Sequence, residues 1–213
     1  MARDSPRRIL ERGAAELGVA ISQGQLDQFE RFLSELQKWN RRINLTAAKT
    51  PEELITRHVL DSLAGLTVLN ELPSGSHIAD LGSGAGFPGL PIKIARPDFH
   101  MTLIEPRQKR AAFLTTVCAQ LKVQNADIVE VNVDPKRTPT ELVGRFDAVL
   151  MRAVADPRVA RDLAAPLLKS GGRVVIWASS QQAAGAGSEF SIHAYRIPAT
   201  DLTHALLVWR SPG

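Results

Sequence analysis

The residues with the most chemical content form one run, Asp80-Leu81-Gly82-Ser83-Gly84-Ala85-Gly86-Phe87-Pro88-Gly89. Its glycines allow sharp turns and let the backbone approach a ligand without a Cβ in the way. A helix beginning behind the run offers unpaired N–H groups and a partial positive charge. That environment suits the carboxylate end of a nucleotide-like cofactor. Gly84, Gly86 and Gly89 also satisfy G-x-G-x-x-G, so a dinucleotide remains an alternative. Two residues favour S-adenosylmethionine. Asp80, just before the first glycine, can hold the ammonium of a methionine moiety through water. Pro88 stiffens a turn that a pyrophosphate loop must keep open. Glu105 follows at the distance where an acidic residue takes both ribose hydroxyls, which either cofactor requires.

Cations cluster next to this run. Arg107, Lys109 and Arg110 follow Pro106, which is expected to open a helix. Positive charge in a first helical turn opposes the macrodipole, so an RNA phosphate or nearby carboxylates are expected to offset it. Arg152 follows the fourth strand, at the switch point where open α/β sheets bind ligands, and is the candidate catalytic residue. His58 and Asp61 lie three apart on one helix face, as a local hydrogen-bonded pair or as direct participants. Lys38, Arg41, Arg42 and Lys49 form a basic segment able to grip phosphates, or serve as solvated helix ends. Cys118 is the single cysteine, which excludes an internal disulfide and a cysteine-based zinc site. No metal is expected.

These residues must be positioned by two kinds of structure. Residues 1–72 read as helical. Ser5-Pro6 opens a first helix ending near Gly18. Ser22 and Gln25 form a capping box for a second, with Leu26, Phe29, Leu33 and Leu36 on one face. Thr50-Pro51-Glu52-Glu53 caps a third that runs to about Glu71. Residues 73–213 alternate strand and helix. Strand-like runs are His77–Leu81, His100–Ile104, Ile128–Val133, Phe146–Met151, Arg173–Trp177, His193–Ile197 and Leu206–Trp209, with helices over Arg107–Leu121 and Pro157–Lys169. Gln181–Ser188 reads as a mobile loop. The alternation predicts a mostly parallel sheet with helices on both faces, and the last two strands predict a closing hairpin. The expected fold is that of class I S-adenosylmethionine-dependent methyltransferases, which this pattern resembles: a Rossmann-like seven-stranded α/β sheet, here with an N-terminal helical extension.

Composition sets the outer bounds. A charged fraction of 23% and a hydrophobic fraction of 44% are ordinary for a globular chain. No apolar run reaches the roughly 18 residues of a membrane span, and Met1 to Pro6 contain no apolar leader core. The expectation is a cytoplasmic protein without membrane contact. A net charge of +4 permits a nucleic-acid partner without demanding one.

The sequence resembles the bacterial methyltransferases of small-subunit ribosomal RNA that make 7-methylguanosine in the 530 loop, also called glucose-inhibited division protein B. Lys38-Trp39-Asn40 with Asn44-Leu45-Thr46, Arg57-His58-Val59-Leu60-Asp61-Ser62, the run from Asp80 to Pro91, Lys109-Arg110 and Arg152-Ala153 carry the resemblance in order. It implies methyl transfer from S-adenosylmethionine to N7 of guanine 527 of 16S rRNA. The partner is then 16S rRNA or the small ribosomal subunit, and the chain a monomer. It also implies cofactor contacts at Gly82 and Phe87 (with Gly84 and Asp80 in the same loop), an adenine-binding pair at Val133 and Asp134 ending the third strand, and a cofactor-side role for Arg152. Arg107, Lys109, Arg110 and His58 are the RNA-contact candidates. The chain departs from the family pattern at Trp177-Ala178-Ser179, where a Lys-Gly pair is usual, and at Thr203-His204, where Arg-His is usual. Phe87 and Trp177 are candidates for stacking on the guanine. Two rival readings remain: a nicotinamide-dependent oxidoreductase, disfavoured because Tyr195 is the lone tyrosine and has no lysine near it, and an RNA-binding module without activity.

Overall fold

The computed structural model describes residues 4–134 and 138–213. Met1 to Arg3, the start of the Met1–Pro6 stretch in which no leader is expected, lie outside them. Helix α1 (Pro6–Glu16) starts where Ser5 accepts the N–H of Arg8 and proline occupies the first turn. Helix α2 (Gln23–Ile43) has the full capping box between Ser22 and Gln25, a device that contributes on the order of 1 kcal/mol. Its apolar stripe, Leu26, Phe29, Leu33 and Leu36, is buried as the spacing predicts.

The third helix is not continuous to Glu71. It breaks into α3 (Pro51–Leu54), a π-helical turn (Ile55–Leu60), α4 (Asp61–Leu63) and α5 (Leu66–Leu69). Side chains compete with the helical ladder here: Ser62 Oγ donates to the carbonyl of His58 and Thr67 Oγ1 to that of Ala64. Thr50 caps Glu53 N–H, and the Glu53 carboxylate takes the N–H of Lys49, one residue ahead of the cap.

The sheet has seven strands, ordered β3-β2-β1-β4-β5-β7-β6. Strands β1 (His77–Leu81), β2 (His100–Ile104) and β4 (Phe146–Met151) match the apolar runs. Strand β3 (Ala126–Val129) ends four residues before the expected Val133. It is an edge strand whose only partner is β2, and β2 stops at Ile104, opposite Val129. Beyond that point no ladder exists for it to join. Strand β5 (Leu168–Ser179) is longer than expected because it is paired on both sides. Strands β6 (Ser191–Arg196) and β7 (Thr203–Arg210) close the sheet as an antiparallel hairpin.

The helices of the second half are α6 (Gly89–Ala95), α7 (Gln108–Leu121), α8 (Pro157–Ala164) and α9 (Ser180–Ala184). Helix α7 begins at Gln108, not at Pro106, because Glu105 accepts the N–H of Arg107 and keeps that residue extended. Helix α8 gives way to a 3-10 turn (Ala165–Leu167) rather than reaching Lys169, as Pro166 removes a donor. The expected loop at Gln181–Ser188 is helical in its first half, started by a capping box between Ser179 and Gln182.

Neighbouring strand residues feed two cores, one on each face. Ile78, Val175 and Leu206 join Leu26, Phe29, Leu36, Leu90 and Phe113 on one face. Ala79, Ile176 and Leu207 join Ala160, Ala164 and Ala183 on the other. The N-terminal helices thus share a core with α6, α7 and the sheet. No helix among the described residues is long and apolar enough to cross a membrane.

Trp177 of β5 is seated against the turn that ends α4. A Cβ added to Gly65 would lie 2.4 Å from its ring. Gly65 is helical, with φ of −57°, so alanine would gain helix propensity and still be overpacked. We expect Gly65→Ala to lose about 1–2 kcal/mol in denaturant unfolding; a neutral or stabilising result would show that the indole is not held there.

Candidate active site

The parallel register brings three strand ends together. Asp80 pairs with Leu150 of β4, so Arg152 lies just beyond the adjacent strand. Leu81 pairs with Ile104 of β2, so Glu105 lies just beyond the other. The order β2-β1-β4 makes this the switch point, where the connections leaving β1 and β4 diverge.

The glycine loop is held by its own acids. The carbonyl of Ile104 accepts the N–H groups of Gly82 and Ser83. The Glu105 carboxylate, 3% exposed, accepts the N–H of Gly84 at 2.8 Å and that of Arg107 at 2.9 Å. Glu105 is therefore first a brace between loop and α7. A carboxylate has about four lone-pair directions, so two remain for ribose hydroxyls. Asp80 is fully buried. Its Oδ2 accepts the N–H of Gly89 at 2.9 Å. Only glycine fits there, since a Cβ would stand 2.6 Å from that oxygen. The second oxygen, Oδ1, is buried without a partner among the described residues, and burial pushes the Asp80 pKa up to about 7. Above the loop a Cβ on Gly82 would meet nothing within 4 Å, which leaves open space for a ligand.

Arg152 faces the π-helical turn. Its Nη2 donates to the carbonyl of Arg57 at 2.8 Å and to Nδ1 of His58 at 2.9 Å, with Asp61 Oδ2 at 3.4 Å. Its Nη1 is buried with no partner among the described residues. His58 and Asp61 are thus not bonded to each other, as their spacing had allowed; Arg152 stands between them. Nε2 of His58 meets Thr46 Oγ1 at 2.8 Å, and the ring stacks on Phe87 at 4.9 Å. Burial and the charge of Arg152 lower the His58 pKa to about 4, so the ring is neutral at pH 7. With both nitrogens engaged, it offers none to RNA in this arrangement.

Asp61, 1% exposed, accepts Tyr195 Oη at 2.6 Å and faces His204 Nδ1 at 2.9 Å. Burial alone would raise its pKa. The contacts with His204, Arg152 and Tyr195 outweigh burial and hold it below the usual carboxylate range. Sequence reasoning missed Tyr195 and His204 as members of this cluster. They are cross-strand partners in the terminal hairpin, a register that no spacing in the chain announces.

The remaining candidates fall in several places. Phe87 is buried against Phe32 and His58, and Trp177 is buried with its Nε1 donating to the carbonyl of Asp61. Neither is presented for stacking on a base. The departure at Trp177 is therefore a packing feature, Ser179 caps α9, and His204 turns inward to Asp61. Val133 is buried in the second core and Asp134 is exposed, both past the end of β3 rather than within it. Arg107 and Lys109 are exposed and Arg110 half-buried, with the Arg110 Nη1 reaching over the loop, 3.7 Å from a Cβ built on Gly84. Among the described residues these three have no ion pair with a carboxylate, whereas Lys38 pairs with Glu35 at 2.6 Å. Cys118 is buried, its pKa raised to about 11 by burial, and no cluster of three metal-ligating side chains occurs among the described residues.

An unpartnered buried carboxylate oxygen, an unpartnered guanidinium nitrogen, open space above a glycine loop and an acid at the end of β2 fit S-adenosylmethionine. The sheet order and this loop define a class I S-adenosylmethionine-dependent methyltransferase. Solved structures agree on the fold. A Methanococcus maripaludis protein described as an S-adenosylmethionine-dependent methyltransferase superposes with a TM-score of 0.54 at 15% identity, over 73% of this chain and 86% of that one. One from Agrobacterium tumefaciens, described as an O-methyltransferase, gives 0.51 at 23% identity, over 65% and 74%. The family model of rRNA small subunit methyltransferase G (GidB) matches residues 25–192. Proteins named ribosomal RNA small subunit methyltransferase G are 39% identical in Roseiflexus castenholzii, over 77% of this chain and 69% of the relative. In Sorangium cellulosum the figures are 39%, 80% and 71%. The chain belongs to the rRNA small subunit methyltransferase G family.

The Asp80 arrangement generates a pH dependence. Below about pH 7 the carboxyl is protonated and must release its proton to accept an ammonium. Affinity for the cofactor should therefore fall towards tenfold per pH unit below that point. Above about pH 8 it should fall again as the cofactor's own amino group deprotonates. Asp80→Asn, which can still accept from Gly89, should weaken binding and abolish the acid limb in calorimetric titrations. An acid limb that persists in this variant would assign it to another group.

Proposed function

We propose that this chain transfers the methyl group of S-adenosylmethionine to N7 of a guanine in the 530 loop of 16S rRNA, guanine 527 in the usual numbering. Residues 1–72 act as a helical extension and residues 73–213 as the methyltransferase core. The observation that carries the reading is Arg152, beside the glycine loop with one buried nitrogen unpaired, in a chain of this family.

The cofactor supplies an electrophilic methyl on a sulfonium centre. Asp80 would face the ammonium end, Glu105 the ribose, and Gly82, Gly84 and Phe87 would shape the pocket between them. Val133 and Asp134 are the proposed adenine-side contacts. Arg152 would orient cofactor or guanine. Guanine N7 carries an in-plane lone pair and no proton, so its attack on the methyl needs no general base. The neutral His58, with both nitrogens committed, suits such a reaction, in which groups hold position rather than move protons. Alignment of this kind can supply about 7–11 kcal/mol in favourable cases.

N7 lies on the edge that A-form RNA hides in a deep groove, so the target guanine must be in a loop or splayed out. Arg107, Lys109 and Arg110, which have no ion pair among the described residues, flank the glycine loop and would take phosphates; Arg41, Arg42 and Lys49 extend the basic face. The partner is 16S rRNA or the small subunit, and the working unit is taken as a cytoplasmic monomer.

Two measurements test this. Small subunits from a strain lacking the enzyme are incubated with methyl-labelled cofactor and then cleaved with borohydride and aniline, which break RNA at 7-methylguanosine. One cut in the 530 loop is expected; label without such a cut would remove N7 as the acceptor. In RNA titrations over a salt series, Lys109→Ala should lower the salt slope by about 0.7–0.9, one phosphate contact, while leaving affinity for the cofactor unchanged. An unchanged slope would take Lys109 off the RNA face.

A further inference from the structure

We propose that His58 and Asp61 are positioning residues for Arg152, holding its Nη2 and with it the orientation of the guanidinium just beyond β4, next to the glycine loop. The inference rests on the methyltransferase reading for what the arginine then does, but its geometry stands apart from that reading.

A guanidinium donates and never accepts. Nη2 carries two N–H bonds, and the Arg57 carbonyl and His58 Nδ1 take both, at 2.8 and 2.9 Å. Because Nδ1 must accept, the proton of the neutral ring lies on Nε2. That N–H points to Thr46 Oγ1 at 2.8 Å, an oxygen that also takes the N–H of Ala48. Thr46 is itself clamped. Asn40, at the end of α2, accepts its N–H at 2.8 Å and donates to its carbonyl at 2.9 Å. A continuous hydrogen-bonded path therefore runs from the last turn of α2, through the loop before α3, to the guanidinium beyond β4. The π-helical turn presents the Arg57 carbonyl and the His58 ring together to one nitrogen, and widened turns of this kind recur at functional sites.

Asp61 completes the arrangement from the opposite side. Its Oδ2 stands 3.4 Å from Nη2 and neutralises the charge, while Oδ1 is fixed by Tyr195 and His204. With Nη2 saturated and its counter-ion held, the guanidinium is fixed in orientation, and Nη1 is its buried nitrogen without a partner among the described residues. The stack of His58 on Phe87 joins the same ring to the glycine loop. One imidazole thus touches both the loop and the arginine.

Amide replacements separate the two nitrogens of His58. Asparagine places an acceptor near Nδ1, and glutamine places one near Nε2. His58→Ala and His58→Gln should lower kcat for methyl transfer about a hundredfold, the effect of misplacing a reacting group by about 1 Å, with cofactor Kd changed less than threefold. His58→Asn should recover at least tenfold of that loss. If Asn and Gln lose kcat equally, or if kcat falls only as the folded fraction falls, the ring is merely structural and the inference fails. Asp61→Asn should also lower kcat, and Arg152→Lys, which cannot saturate two acceptors through one planar nitrogen, should not restore it. These variants can lose stability, so a second readout does not depend on activity or on the variants of Asp61. Nitrogen NMR of imidazole-labelled wild type should find the His58 proton on Nε2 at pH 7, with Nδ1 shifting in Arg152→Ala. A proton on Nδ1 would overturn the inference. Absence of methyl transfer by the wild type, with the Nε2 tautomer intact, would overturn the functional reading and leave the positioning geometry standing.

Discussion

The carboxylate of Asp61 is the constraint on which the rest depends. It is almost wholly removed from water, a placement that costs several kcal/mol unless charge and hydrogen bonds compensate. The compensation comes from every strand on that side of the sheet. Arg152 lies past β4, Tyr195 is in β6 and His204 in β7. Trp177 of β5 donates to the carbonyl of the same residue. Four strand elements converge on one short helical piece, so the N-terminal helices have a single register against the sheet. Apolar packing alone is non-directional and would tolerate small slides; a buried charge with three side-chain partners, on a residue whose carbonyl is also bonded, does not.

The glycine loop is governed by the same logic on a smaller scale. Glu105 and the carbonyl of Ile104 satisfy loop and helix-entry N–H groups that a tight turn would otherwise leave unpaired. Asp80 takes one more through Gly89. Three buried side-chain atoms lack a partner among the described residues: Arg173 Nε, on a guanidinium bonded to Val68 and Glu71, and, at this site, Asp80 Oδ1 and Arg152 Nη1, which are informative because buried polar atoms are so rarely unpaired. Both belong to residues at the switch point, and they carry opposite partial demands: an acceptor seeking a donor, and a donor seeking an acceptor. A zwitterionic amino-acid moiety or a guanine edge presents both kinds of group.

Much of this was legible in the sequence, and the failures have physical causes. The apolar runs of β1, β2 and β4, the capping box of α2 and the glycine loop are local signals, and the structure follows them. The end of β3 was misread because strand length is decided by the partner, and β2 runs out at Ile104. The third helix reads as continuous because the helical period persists through His58 and Asp61, while the hydroxyls of Ser62 and Thr67 that bond back to the helix carbonyls leave no mark in that period. Glu105 was read as a ribose ligand, and its brace to Gly84 and Arg107 was invisible because backbone N–H groups leave no trace in a sequence. The departures from the family pattern at Trp177-Ala178-Ser179 and Thr203-His204 have no explanation in the sequence itself. In the fold, Trp177 and His204 face Asp61, so these positions have structural duties.

The proposed reaction explains why so much polar structure is devoted to holding and so little to proton movement. An acceptor with a free lone pair and no proton gives the protein nothing to deprotonate. What limits the rate is then the angle and distance between lone pair, methyl and sulfur. A protein meets that demand by fixing donors and acceptors before the substrate arrives. The neutral His58 is consistent with this economy: its low pKa makes it a poor base but a dependable acceptor, the property Arg152 requires. A catalyst acting on a group that must first lose a proton would be expected to raise the basicity of such an imidazole with an adjacent carboxylate. Here Arg152 is inserted between His58 and Asp61, and that insertion withholds the carboxylate from the ring.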